Sequence, residues 1–142
     1  MYPNRFIDFS LLKTRILHWI NFRYGLTGYL HWGYNWWSKA PFSDVEPRQG
    51  DIDLPPGDNA IVYPGQDGMI SSIRWEMIRK GIEDHEMLVE LSRYRPDIAE
   101  QLCLEAVPDI KNHIRRAESF NSLRRRLIKA LGEAQGLSTR TV

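Results

Sequence analysis

Residues 25–37 read Gly25-Leu26-Thr27-Gly28-Tyr29-Leu30-His31-Trp32-Gly33-Tyr34-Asn35-Trp36-Trp37. The density of aromatic residues between bounding glycines predicts a strand over residues 27–35. Bulky groups on both faces make it an interior strand, because a half-solvated strand would alternate apolar with polar. Alternation places Leu30, Trp32 and Tyr34 on one side and Tyr29, His31, Gly33 and Asn35 on the other. Four of the five tryptophans lie between Trp19 and Trp37, and that clustering is the first sign of function.

Outward from this stretch the pattern turns helical. Leu12, Ile16, Trp19 and Ile20 share one helical face, predicting a helix over residues 10–24 that Asp8 or Ser10 can cap and Gly25 can end. Residues 36–59 carry Pro41, Pro47, Pro55 and Pro56 with Gly50 and Gly57, a composition that resists helix and sheet and predicts a long loop. Residues 60–63 are a short apolar run, read as a brief strand or extended segment. Trp75, Ile78, Ile82, His85 and Val89 predict a helix over residues 71–94, capped by Ser72, with these side chains as its buried stripe. A short helix over residues 97–106 follows. Pro108 then begins a long helix whose apolar face runs Ile110, Ile114, Ala117, Phe120, Leu123, Leu127 and Leu131.

The chain has 142 residues, 42% of them hydrophobic and 26% charged, enough for one domain with a real core. A net charge of +1 gives no global pull toward nucleic acid or an anionic membrane. No apolar run approaches the roughly 20 residues that span a bilayer. The single cysteine, Cys103, cannot form an internal disulfide.

Four blocks in order carry a resemblance: residues 2–8, Tyr-Pro-Asn-Arg-Phe-Ile-Asp; residues 12–19, Leu-Lys-Thr-Arg-Ile-Leu-His-Trp; residues 25–35, quoted above; and residues 72–84, Ser-Ile-Arg-Trp-Glu-Met-Ile-Arg-Lys-Gly-Ile-Glu-Asp. Together they resemble domain of unknown function 4091, the latter part of the catalytic region in family 123 glycoside hydrolases. The resemblance covers residues 2 to about 91 and implies an α/β fold, the incomplete C-terminal portion of a (β/α)-barrel. That portion is mainly helical, with one principal strand. Residues 1–94 would be the last strand–helix units, and residues 95–142 a helical C-terminal extension packed on the same unit.

The resemblance further implies action on terminal β-linked N-acetylgalactosamine, with the substrate's own acetamido oxygen as nucleophile and an adjacent Asp-Glu pair as acid and stabiliser. By block order that pair precedes this chain, so no catalytic residue is expected here and the chain is expected to be inactive. A secretion signal would also sit upstream, since relatives imply export of the full-length bacterial enzyme. No cofactor is implied.

In barrels the C-terminal ends of strands face the substrate, and flat aromatic faces suit the axial C–H patch of a pyranose. Trp32, Asn35, Trp36, Trp37 and Tyr34 are therefore the candidate sugar-binding residues, with Asn4 from the preceding strand-to-helix loop. The plain alternative is that these aromatics fill core between strand and helices. Glu83 and Asp84 are adjacent carboxylates, but they lie in mid-helix, away from any strand end, and are not the catalytic pair. Arg79 with Glu83 and Glu76 with Lys80 have the spacing of surface ion pairs, while Arg74 can turn toward the site. His85, on the apolar stripe, reads as a hydrogen-bonded core residue. The remaining histidines are scattered, and no Cys/His spacing reads as a metal site.

Two function classes follow: a sugar-binding part of a glycosidase, taking an N-acetylhexosamine-type carbohydrate, and a non-enzymatic helical interaction domain. The second would use the basic last helix, with Arg115, Arg116 and Arg124 to Arg126, although an ordinary solvated face explains these residues as well. A lone strand either pairs with residues 60–63 or exposes an edge that invites self-association.

Overall fold

The computed structural model describes residues 2–136. Met1 and residues 137–142, included in the expected units 1–94 and 95–142, lie outside the described residues. In chain order the elements are α1 (Leu11–Arg15), α2 (Leu17–Arg23), β1 (Arg48–Gln49), β2 (Ile52–Asp53), β3 (Tyr63–Gly65), β4 (Gly68–Ile70), α3 (Ile73–Tyr94), α4 (Pro96–Ala106) and α5 (Ala117–Ala134). Helices dominate, and the described strands form two separate antiparallel hairpins.

The expected first helix is present as α1 and α2, joined through Ile16, whose own dihedrals are helical. Gly25, at φ 62°, supplies the left-handed residue that ends it. Ser10 holds the N-cap position but its side chain makes no capping bond. At α3 the expected cap is made: Ser72 Oγ accepts the Trp75 amide at 3.1 Å and donates to the Ile61 carbonyl, tying the helix start to the chain before it.

The main core lies where α2, α3, α4 and α5 meet. Ile16, Trp19, Leu88, Leu91, Leu102 and Phe120 are among its members, and the Trp19 and Phe120 rings pack edge to face at 5.3 Å. A smaller cluster of Ile61, Val62 and Ile78 is covered by Trp37.

Three expectations are corrected. Residues 27–35 form no regular strand: only Asn35 makes a bridge, antiparallel to Ala60, supported by the Ile61 amide on the Tyr34 carbonyl at 2.9 Å. Among the described residues no backbone-to-backbone hydrogen bond involves residues 27–33, and Leu30 is 91% exposed. Propensity marked an extended segment, but propensity describes fit to a pleated surface, and no neighbouring strand supplies that surface. Residues 60–63 meet that stretch through the bridge at Ala60 and lead into β3. Ala60, Ile61 and Val62 are buried, and the hairpin begins at Tyr63 and turns through Gln66-Asp67.

The buried face of α3 is also rotated from the expected stripe. It runs Arg74, Ile78, Gly81, Asp84, Leu88 and Leu91, leaving Trp75 36% and Ile82 45% exposed. Polar residues take core positions here because they are paired, as described below, and because Gly81 lets α1 and α2 come close: a Cβ there would lie 2.6 Å from the Arg15 carbonyl oxygen.

Finally, the last helix starts at Ala117, not Pro108. Asp109 Oδ1 accepts the amides of Lys111 and Asn112, each at 2.8 Å. An aspartate that captures nearby backbone N–H groups offers the chain an alternative to helix.

Candidate functional site

Arg74 organises the loops around the candidate residues. It leaves the first turn of α3 and is buried, and its guanidinium donates to the carbonyls of Arg5 (2.8 Å), Gly57 (2.8 Å) and Ala60 (2.7 Å) and to the Tyr63 hydroxyl (3.2 Å). Gly57 has φ 75°, and a Cβ there would meet Arg74 Nη1 at 2.7 Å, so only glycine serves. Gly33 presses equally hard on the same loop, because a Cβ would fall 2.2 Å from the Asp58 carbonyl oxygen. Residues 5, 31–36 and 57–61 are thereby gathered at one place.

There the side chains form a continuous network. Arg5 Nη2 lies 2.6 Å from His31 Nδ1, and the Gly33 amide approaches the same nitrogen at 3.2 Å. Two donors on Nδ1 make it the acceptor and put the ring proton on Nε2. That nitrogen faces Asp58 Oδ1 at 3.1 Å, while Asp58 Oδ2 accepts the Trp32 indole N–H at 3.0 Å. Burial, then the Arg5 cation, lowers the His31 pKa below its ordinary value despite the Asp58 carboxylate. Burial also pulls the Arg5 guanidinium down to about 10, leaving it charged at neutral pH.

The candidate residues part company around this network. Trp32 and Trp36, 51% and 50% exposed, meet edge to face at 5.5 Å. Trp36 is anchored through its backbone: its amide donates to the Asn59 carbonyl at 3.1 Å and its carbonyl accepts from Asn59 Nδ2 at 2.6 Å. One hollow of about 540 Å³ is lined by Trp32, Trp36, Gln49 and Leu54. A second, of about 480 Å³, has Trp36, Trp37, Asp44, Glu46, Arg48 and Asn59 in its wall. Trp36 is common to both.

Asn35 is exposed beside this pair. Trp37 instead turns inward, its indole N–H donating to the Val62 carbonyl at 2.8 Å. Tyr34 packs edge to face on Trp75 at 5.5 Å, away from the tryptophan pair. The strict two-sided alternation is lost, since His31 and Trp32 stack on each other at 6.4 Å. Asn4 lines a different hollow with Tyr2, Phe6, Asp8, Phe9 and Pro55, and its Oδ1 accepts the Arg5 amide. Its neighbour Arg5 is the residue from that loop that enters the network. Sequence reasoning missed His31 and Asp58 as site residues; the available signals were the His31-Trp32 adjacency and the turn dipeptide Gly57-Asp58.

The adjacent carboxylates on α3 serve other ends. Glu83 pairs with Arg79 on the surface. Asp84 is wholly buried and accepts from Arg15 (2.7 and 2.9 Å), Trp19 (3.1 Å) and Arg124 (2.7 Å). Glu76 bonds Arg79, not the expected Lys80. His85 is partly buried, edge-on to Phe22 and 3.4 Å from Glu86. Of the basic residues near the last helix, Arg124 is bound to Asp84 and Arg126 to Glu105 at 2.5 Å. Among the described residues no group of three His, Cys, Asp or Glu side chains is arranged to hold a metal ion.

In comparison with protein families, the model of the glycoside hydrolase 123 catalytic domain aligns with residues 1–91. The matched stretch takes in the Arg5–His31–Asp58–Trp32 network, both hollows and most of α3, whereas α4 and α5 follow it. Comparison with curated proteins finds no match.

Proposed function

The chain belongs to glycoside hydrolase family 123, and on that premise we propose that it supplies the sugar-binding wall of a glycosidase catalytic centre, the C-terminal part of a (β/α)-barrel acting on terminal β-linked N-acetylgalactosamine. Trp32 and Trp36 stack on the apolar face of the pyranose, and Asn35 offers its amide group to the hydroxyls. The supporting observation is the edge-to-face pair of half-exposed tryptophans at the junction of two hollows.

In this reading the acetamido carbonyl oxygen of the substrate attacks C1, while a carboxylic acid protonates the departing glycosidic oxygen. That acid and its partner carboxylate come from outside this chain. Asp84 cannot fill either role, because four donated hydrogen bonds hold it inside the helical core. Asp58 has both oxygens engaged. In this reading the chain's part is to bind the sugar, and the cleavage is left to that outside pair.

Retention on immobilised N-acetylgalactosamine tests this reading. Wild type is retarded, and Trp32→Ala and Trp36→Ala elute earlier with the helical core intact. Equal elution of all three counts against it. The backbone of residues 27–32, which makes no backbone-to-backbone bond, also offers an edge for self-association, which light scattering would register as a concentration-dependent mass that Leu30→Lys reduces.

The alternative of a helical interaction domain draws on a basic last helix. Two of its three central arginines are held by carboxylates of the same chain, which leaves that reading without a specific observation in its favour.

A further inference from the structure

We infer that Asp58 is a positioning residue for Trp32, braced in turn by His31 and Arg5, and that this brace sets the angle at which the tryptophan meets a sugar. The inference rests on the sugar-binding reading of Trp32 and names the groups that make it work.

A tryptophan with half its surface in solvent is not fixed by packing alone. Besides the edge-to-face contact with Trp36, its ring has two holds in this chain. One is the stack on His31, with ring planes 21° apart; the other is the indole N–H bond to Asp58 Oδ2. A hydrogen bond to a carboxylate is stronger than one to a neutral acceptor and directional enough to select one indole orientation. Asp58 could swing away with the loop that carries it, but its second oxygen is held by His31 Nε2 at 3.1 Å.

His31 is held by two donors on its other nitrogen, Arg5 Nη2 and the Gly33 amide. Arg5 Nη2 also approaches the Asp58 carbonyl at 3.4 Å, so the same cation touches both ends of the brace. His31 thus acts twice, beneath the Trp32 ring and behind Asp58. Protonating His31 on Nδ1 would set two donors against each other at 2.6 Å, which keeps the brace in one tautomer. The charged and titratable groups acting on His31 are Arg5, Asp58 and Arg74.

The test compares wild type with Asp58→Asn, Asp58→Ala, Trp32→Phe and the Trp32→Phe/Asp58→Ala double variant. Each is examined by proton–nitrogen correlation spectra of the indole groups and by titration with phenyl N-acetyl-β-galactosaminide. In wild type the Trp32 indole signal, assigned by its loss in Trp32→Phe, lies downfield and exchanges slowly. Asp58→Ala moves it to the position of a solvated indole and weakens sugar binding about tenfold, the worth of one charge-assisted hydrogen bond. Asp58→Asn, which retains an acceptor, falls between. Because Asp58 itself touches the ring only through the indole N–H, Asp58→Ala adds little in the Trp32→Phe background.

Additive losses in the double variant, or an unmoved indole signal in Asp58→Ala, would overturn the inference. Should wild type bind no sugar while Asp58→Ala still frees the indole, the positioning role stands and the sugar reading falls. A shielded Cys103 thiol in each variant shows that the helical core has folded.

Discussion

Asp84 Oδ1 and Arg124 Nε lie 2.7 Å apart in the interior and join α3 to α5. Arg15 of α1 and the Trp19 indole of α2 complete the shell around the same carboxylate. One buried anion therefore ties together four helices, and one of them lies outside the stretch that matches the family. The pair thus packs α5 against the matched stretch.

Removing that carboxylate leaves two inward-facing guanidinium groups without a counter-charge. Asp84→Ala is expected to cost about 3–5 kcal/mol, the range for breaking a buried ion pair. Arg124→Ala should cost less, since its side chain is 30% exposed and the Arg15 pair remains. Urea unfolding midpoints measure both; equal midpoints for Asp84→Ala and wild type would show that the network carries no stability.

The two tryptophans of the helices should separate in the same assay. Trp19 is completely buried against Phe120, so Trp19→Ala opens a cavity and costs about 3–5 kcal/mol. Trp75 sits on the outer face with Tyr34 as its aromatic neighbour, so Trp75→Ala should cost clearly less. The reverse order would restore the stripe through Trp75 as the buried face of α3.

That stripe shows what the sequence could and could not convey. The existence and ends of α3 and α4 were legible from apolar spacing, the Ser72 cap and Pro96. The face that α3 buries was not, because apolar periodicity gives no weight to Arg74 or Asp84, whose burial is sustained by partners 69 and 40 residues away in sequence. Residues 27–35 failed as a strand for a related reason: β-propensity presupposes neighbours. At the candidate site, aromatic clustering pointed to Trp32 and Trp36, which the structure brings together. It could not tell that Trp37 and Tyr34 turn elsewhere, or that Asp58, in a proline-rich loop, reaches the Trp32 indole.

Cys103 gives a probe of the core. Its thiol is buried, its Sγ donates to the Trp19 carbonyl at 3.3 Å, and burial pushes its pKa up to about 12. The thiolate is the reactive form, so the native protein should resist thiol reagents at neutral pH and react once urea unfolds it. Rapid labelling of native protein would show that α4 opens locally.

Stability should fall in mild acid. Burial holds His18, His31 and His113 below their ordinary value of 6.5. The unfolded chain therefore takes up protons first as pH drops. The stabilisation of the neutral rings is fully present above about pH 6.5 and is lost as pH falls from there toward the folded-state values. A Tm that declines between about pH 7 and about pH 5.5, with net proton uptake on unfolding, is the expected outcome. A flat profile would mean that these rings are no less basic than free histidine.

The central claim is that Trp32 and Trp36 face a sugar. Its most direct measurement is a titration of the isotope-labelled chain with phenyl N-acetyl-β-galactosaminide, following each indole signal. Saturable shifts at Trp32 and Trp36, none at the buried Trp19, their loss in Trp32→Ala and no release of phenol are the predicted result. Indole signals that stay still up to ~1 mM sugar, where binding is worth only about 4 kcal/mol, or shifts confined to Trp75, would contradict it.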